Sequence, residues 1–215
     1  MDTREHSSAA EFLPQKRSLE SLRAAARSCR GCDLYKNATQ TVFGEGPRSA
    51  AVMFVGEQPG DIEDRKGHPF VGPAGRLLDN ALVDARIPRD DVYITNAVKH
   101  FRWIQRGKRR LHQKPLIRQI VACRPWLEAE IQAVHPKVVV CLGATAAQSM
   151  AGRTVRIMQE RGTFLDGDSG AAIFITIHPS SIYRLQEKDE QEKEYRRFVA
   201  EMKSVQRKLR SIAAA

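Results

Sequence analysis

Apolar positions along the chain follow two patterns. Four short runs rich in β-branched residues, Ala50–Gly56, Val92–Val98, Lys137–Leu142 and Ala171–Ile177, lack polar alternation and read as strands buried on both faces. Around them apolar residues recur at helical spacing over Ser18–Cys29, Arg76–Ala85, Leu116–Val134 and Ala144–Met150. A long charged segment, Ser181–Ile212, sets Leu185, Tyr195, Phe198, Met202, Val205 and Leu209 near one stripe, so a helix, whole or broken, is expected to dock there on the core. Strands alternating with helices predict an α/β fold: a three-layer α/β/α sandwich around a central four-stranded parallel sheet. A single domain is expected over residues 16–212, with residues 1–15 flexible and the last alanines frayed.

This order fixes where chemistry can sit. Gly56-Glu-Gln-Pro-Gly60, Asn96–Phe101 and His178-Pro-Ser-Ser181 each follow a predicted strand directly. Parallel sheets bind ligands beyond the carboxyl ends of their strands, so these distant segments are expected to line one pocket.

Charge adds a partner. With 35 Lys+Arg against 25 Asp+Glu the formal net charge is +10. No acidic residue lies between Val92 and Leu127, while Lys99, Arg102, Arg106, Lys108, Arg109, Arg110, Lys114, Arg118 and Arg124 do. A cationic face that only keeps the protein soluble would carry interleaved acids; here they are missing, and Phe101 and Trp103 offer stacking surface, which favours nucleic acid. Asp2, Arg4, Glu5 and His6 occupy the start where a secretory leader would be apolar, and no run approaches the ~20 residues of a membrane helix. A soluble, cytoplasmic protein that makes no membrane contact and associates with nucleic acid is expected.

In a reducing compartment thiols are available to metals. Cys29 and Cys32 form a C-x-x-C pair, and Cys123 and Cys141 lie far downstream. All four are candidates for one site, although Cys141, inside an apolar run, also reads as a small buried hydrophobe. A four-thiolate site suits zinc or an iron–sulfur cluster, and spacing does not choose.

Taken together, the cysteines, Gly56–Gly60, His68-Pro-Phe-Val-Gly-Pro-Ala-Gly-Arg-Leu-Leu-Asp79, Ile94–His100 and His178-Pro-Ser-Ser-Ile-Tyr-Arg184 resemble the family 4-type uracil-DNA glycosylases. Gln58, where ordinary members carry a small residue, and the basic loop Arg106–His112 resemble the UdgX group, whose members become covalently attached to uracil-containing DNA; Leu111 and Tyr183 are mild departures. The resemblance implies a uracil-DNA glycosylase-like fold, and a [4Fe-4S] cluster on Cys29, Cys32, Cys123 and Cys141, with zinc as the alternative. It implies uracil-containing DNA as substrate, free uracil as product and a monomer. Single strands are expected to be preferred, because extruding a base from a duplex costs a few kcal/mol.

Roles follow for the residues. Phe70 offers a flat face to the base beside Gly56. Asn96 can accept from uracil N3–H and donate to O4, a pattern that cytosine reverses at both atoms. His178 is placed to donate to uracil O2 as negative charge develops. Glu57, with Asp61 as an auxiliary carboxylate, is the candidate for the positive charge on the sugar. By resemblance, Gln58 contacts the base or its loop, and His112 is the nucleophile that takes the deoxyribose C1′. Lys108, Arg109, Arg110 and Lys114 would contact phosphates, and Ser180, Ser181 and Arg184 would grip the backbone near the flipped nucleotide. The competing readings are a conventional glycosylase that turns over with water, and a noncatalytic iron–sulfur module that binds nucleic acid.

Overall fold

The computed structural model describes residues 8–167 and 170–214. In chain order the first half forms α1 (Leu19–Ala26), β1 (Val52–Gly56), α2 (Asp61–Lys66), α3 (Pro73–Asp84), β2 (Val92–Asn96), β3 (Trp103–Arg106) and β4 (Arg109–His112). The second half forms α4 (Ile117–Val134), β5 (Val138–Leu142), α5 (Ala144–Ala151), α6 (Ile157–Glu160), β6 (Phe164–Asp166), β7 (Ala172–Thr176), α7 (Pro179–Tyr183) and α8 (Lys188–Ala213).

The four unalternating apolar runs are the four parallel strands, adjacent in the order β2-β1-β5-β7. Both faces of each are covered. Phe54, Ile94, Val140 and Phe174 pack on one side with Leu78, Leu82, Ile182, Phe198 and Met202 of α3, α7 and α8. Met53, Val55, Val139 and Ile175 pack on the other with Leu127 and Ile131 of α4 and Ala146 and Ala147 of α5. This is the expected three-layer sandwich. The terminal segment is indeed broken, between α7 and α8, and its apolar stripe seals one layer.

Two elements escaped the sequence. The three-residue β6 adds an antiparallel edge against β7, with Phe164 opposite Phe174, so the sheet is mixed and five-stranded. The basic loop is a β-hairpin, a separate two-stranded sheet. Gly107, at φ +58°, takes the first position of its two-residue turn, where a positive φ favours glycine.

Of the segment expected to be flexible through residue 15, the structure describes the residues from Ser8 onward; residues 1–7 and Ala215 lie outside the described residues. Ala9–Phe12 form a capped single turn, and Ala9 packs in a third cluster with Leu22, Cys29, Cys123 and Trp126, outside α4. No described helix is long and apolar enough to cross a membrane.

The chain leaves β1 to place β2 on one side and later β5 on the other. That reversal opens a crevice at the carboxyl ends of β1 and β5, the place where α/β sheets bind ligands.

Candidate active site

A cleft of about 520 Å³ fills this crevice, within the range of small-molecule sites. Segments following all four parallel strands line it: Glu57 and Gln58 after β1, Asn96 ending β2, Gly143–Thr145 after β5 and His178 after β7.

The floor is built for a flat polar ring. Phe70 holds φ +56°, a conformation that bulky residues rarely adopt, and its ring stacks on His178 at 5.8 Å between centroids. Gly75 makes room for it, since a Cβ there would lie 1.7 Å from the Phe70 carbonyl oxygen. Gly56 clears the same space, since its Cβ would come within 2.3 Å of Asn96 Oδ1 and 2.6 Å of the Phe70 ring. Asn96 Oδ1 is buried and has no hydrogen-bond partner in the protein. An orphaned acceptor costs about 1–3 kcal/mol, a cost that a ligand N–H entering the cleft would relieve.

His178 is fixed as a donor. The Ser180 N–H donates to its Nδ1 at 3.1 Å, and the Ser180 hydroxyl lies 2.8 Å from the same nitrogen. A ring nitrogen that accepts carries no proton, so the proton sits on Nε2. Burial, with Arg184 and His112 nearby, pushes its pKa down to about 4, so the ring is neutral at pH 7.

Opposite this floor stands a carboxylate–amide–imidazole group. The Thr145 hydroxyl donates to Glu57 Oε2 at 2.5 Å, leaving Oε1 3.5 Å from His112 Nε2. Gln58 Oε1 accepts from the Arg102 N–H at 3.0 Å, which orients the amide. Its Nε2 then donates to the Gln113 carbonyl and to His112 Nε2, both at 2.9 Å, with the Arg102 carbonyl at 3.3 Å. The contact between Gln58 Nε2 and His112 Nε2 is a hydrogen bond in the tautomer that carries the ring proton on Nδ1 and leaves Nε2 as acceptor. Burial lowers the His112 pKa; Arg184 adds to this and Glu57 opposes it.

Several expected roles change. Arg110 does not face solvent as a phosphate contact: it donates to Asp61 (2.5 Å), Asp64 (2.7 Å) and Thr39 (3.2 Å), and lies over the rings of Phe101 and Trp103. Asp61 lines the cleft and also holds Arg110 and Arg65, which makes it an anchor of the hairpin. Phe101 is buried and so offers no stacking face, whereas Trp103 is half-buried, donates to the Asn37 carbonyl and carries Arg110 over its ring. Lys99 is fully buried against Glu130. The hydroxyls of Ser180 and Ser181 are spent on His178. Lys108, Arg109 and Lys114 are exposed, with no carboxylate at ion-pair distance among the described residues, and Arg184 lines the cleft mouth.

A family model described as the Uracil DNA glycosylase superfamily matches residues 43–203. The chain belongs to the uracil-DNA glycosylase superfamily. Among similar members, it is 38% identical over 167 residues to a Type-4 uracil-DNA glycosylase of Thermotoga maritima, covering 77% of this chain and 83% of that one. It is 34% identical over 189 residues to a Type-4 uracil-DNA glycosylase of Archaeoglobus fulgidus, covering 84% and 92%. The matched residues of the superfamily model include all four strand-end segments that line the cleft.

Of the cysteines, the structure brings together three. Cys29, Cys32 and Cys123 share the cluster outside α4. Trp126 Nε1–H donates to Cys29 Sγ at 3.2 Å, and the Lys99 N–H to Cys123 Sγ at 3.3 Å. Cys141 lies apart, buried under α4 and α5 in the middle of the sheet. Its strand is two removed from β2, about 10 Å across the sheet, and burial alone raises its pKa, whereas Cys32 and Cys29 both act on Cys123. It is the small buried hydrophobe of the alternative reading. The sequence missed His100, one residue past Lys99. It is buried, its pKa falls to about 4 through burial, and its Nε2 lies 3.0 Å from the Thr41 hydroxyl. That hydroxyl donates to the Ala26 carbonyl, which also accepts from the Cys29 N–H. No group of three or more His, Cys, Asp or Glu side chains among the described residues is arranged to hold a metal ion.

Proposed function

We propose that the protein excises uracil from DNA and is then held covalently on the resulting abasic sugar through His112. Superfamily membership and the Type-4 relatives support the excision. The observation that carries the capture is the place of His112 Nε2, 2.9 Å from the Gln58 amide nitrogen and 3.5 Å from the Glu57 carboxylate, in the same cleft as the orphaned Asn96 Oδ1 and the donor His178.

Asn96 accepts from uracil N3–H and donates to O4, and Phe70 stacks on the ring. When the C1′–N1 bond breaks, its electron pair passes to uracil and spreads onto O2, where His178 Nε2–H stabilises it. C1′ is left electron-poor. The Glu57 carboxylate, held by Thr145, faces that positive charge. His112 Nε2 then gives its lone pair to C1′, forming a C–N bond, and the alkylated ring releases its Nδ1 proton to solvent. The product is a neutral N-linked imidazole, a poor leaving group at pH 7. Gln58 must surrender its bond to Nε2 for attack, and its amide keeps the Gln113 and Arg102 carbonyls as partners. Lys108, Arg109, Lys114 and Arg184 serve as phosphate contacts.

Cys29, Cys32 and Cys123 fit three positions of a [4Fe-4S] cluster. They border one apolar cluster, and two of the sulfurs receive N–H donors, which would favour thiolate ligands. Cys141 lies in another cluster, and the candidate for the fourth position is His100, a buried imidazole linked through the Thr41 hydroxyl to the Ala26 carbonyl that accepts from the Cys29 N–H. Such a cluster would tie the N-terminal segment to α4 and to the segment after β2.

The test mixes the protein with a uracil-containing single-stranded oligonucleotide and resolves it on a denaturing gel beside a thymine control. A shifted, heat-stable band that needs uracil and disappears in His112→Ser, while uracil release persists, is expected. Alkali-labile strands without a shifted band would establish the turnover glycosylase, with Glu57 activating water.

A further inference from the structure

Behind Asn96 lies a charged network that excision, as described above, does not use. Lys99 and Glu130 are both completely buried and directly paired. All three ammonium protons of Lys99 are committed: to Glu130 Oε2, to Thr95 Oγ1 at 2.7 Å and to the Asn96 carbonyl at 2.7 Å. Glu130 also accepts from the Gly44 N–H at 3.0 Å, the Tyr93 hydroxyl at 2.9 Å and the Thr95 hydroxyl at 3.0 Å. A buried ion pair is commonly no more stabilising than apolar residues of the same volume, so stability does not account for this one. Its geometry does. The Asn96 amide must discriminate bases, yet its Oδ1 meets no protein donor and its orientation rests on its backbone. That backbone stands at the last position of β2; the Ala97 and Val98 N–H groups still donate to the Gly56 and Glu57 carbonyls at 2.9 and 3.0 Å, and the Asn96 carbonyl itself is gripped by Lys99 from three residues ahead.

We propose that Lys99 and Glu130 are positioning residues that hold Asn96 in register for uracil and so set the selectivity of the pocket for N3–H. The inference rests on the uracil-excising reading but not on capture by His112. It also gives the network a second neighbour, since the Lys99 N–H meets Cys123 Sγ at 3.3 Å.

The test is the pair Lys99→Met with Glu130→Gln, which removes both charges together and so avoids stranding one of them. The readout is inhibition of uracil excision by free uracil and by 3-methyluracil, whose methyl group occupies the place of the N3 proton. Wild-type protein is expected to prefer uracil strongly. In the double variant the ratio of the two inhibition constants is expected to fall at least about tenfold, because a misplaced amide neither accepts from N3–H nor excludes the methyl. A loss of active protein alone would weaken both inhibitors' readouts equally and leave the ratio unchanged, and an unchanged ratio overturns the proposal. Should the double variant not fold, Thr95→Val removes the bridging hydroxyl without touching either charge, and the same ratio decides. Failure of wild-type protein to release uracil would instead overturn the function on which the inference rests.

Discussion

Replacing Arg110 separates two meanings of a basic loop. Arg110→Ala leaves Asp64, whose side chain has no solvent exposure, with only the Thr39 N–H at 2.9 and 3.1 Å to its two oxygens. A buried carboxylate stripped of its cation costs about 3–5 kcal/mol. Asp61 contributes little to that figure, since it is 39% exposed and keeps Arg65 at 3.0 Å. At about 2–4 °C per kcal/mol for a chain of this size, Tm should fall by roughly 6–20 °C in a circular-dichroism melt. The same change frees the hairpin that carries His112, and a displacement of about 1 Å at a reacting atom costs on the order of 10²-fold in rate. Adduct formation on the denaturing gel should slow accordingly. Adding Asp64→Asn removes the stranded charge and should restore most of the stability but not the adduct rate. Lys108→Ser with Arg109→Ser should leave Tm unchanged and flatten the dependence of log binding on log salt by about one unit per residue. If Arg110→Ala flattened the salt dependence in that way with Tm intact, Arg110 would be a phosphate contact after all.

Three further outcomes follow from the site. His112 must be unprotonated to attack, and burial lowers its pKa below the ordinary histidine value, so the acid limb of the capture rate should lie at lower pH than for an ordinary histidine; Arg184→Ala, removing a positive neighbour, should move that acid limb to higher pH, and Glu57→Gln to lower pH. Gly56→Ala should give a folded protein whose uracil release, measured from end-labelled oligonucleotide, drops by about 10²-fold, because the new methyl occupies the space of Asn96 Oδ1 and the Phe70 ring. Cys141→Val should retain the iron content and visible absorbance of the purified protein, whereas Cys123→Ser and His100→Ala should lose them; loss in Cys141→Val alone would reverse the ligand assignment.

The sheet was legible because continuous apolar runs flanked by helical periodicity permit few other arrangements, and the strand-end placement of Glu57, Asn96 and His178 followed from it. Elements without an apolar signature were not legible. β6 has three residues at an edge, and the β3–β4 ribbon is mostly polar, although its Gly107-Lys108 step between two four-residue runs is a recognisable hairpin signal. Charge misled where pairing is long-range. Arg110 and Lys99 read as surface cations because their partners, Asp61, Asp64 and Glu130, lie 49, 46 and 31 residues away, outside any local pattern. Cys141 misled for the opposite reason, since counting thiols overrode the apolar run that contains it. His100 gave no signal beyond standing in a motif.

The placement of His112 would make excision and the proposed capture separable properties of one pocket. Phe70, Asn96, Glu57 and His178 are held by the sheet and its connecting turns, and none depends on the hairpin for its burial or backbone. His112 arrives on an appended ribbon that makes no ladder bonds to the main sheet. Gln58, Arg110 and the Trp103 indole hold that ribbon through hydrogen bonds and ion pairs. Gln58 is the joint between the two: its backbone belongs to the turn after β1, beside Glu57, while its amide spans Arg102 and Gln113 at the hairpin base and reaches His112. A small residue at position 58 would leave the Arg102 N–H and the Gln113 carbonyl without this partner and His112 without a restraint. An imidazole over the cleft serves the proposed capture only if it is held to within a fraction of an ångström, so on that proposal a glutamine after β1 and a histidine ending the ribbon would act as a single device, in which neither residue has that function without the other.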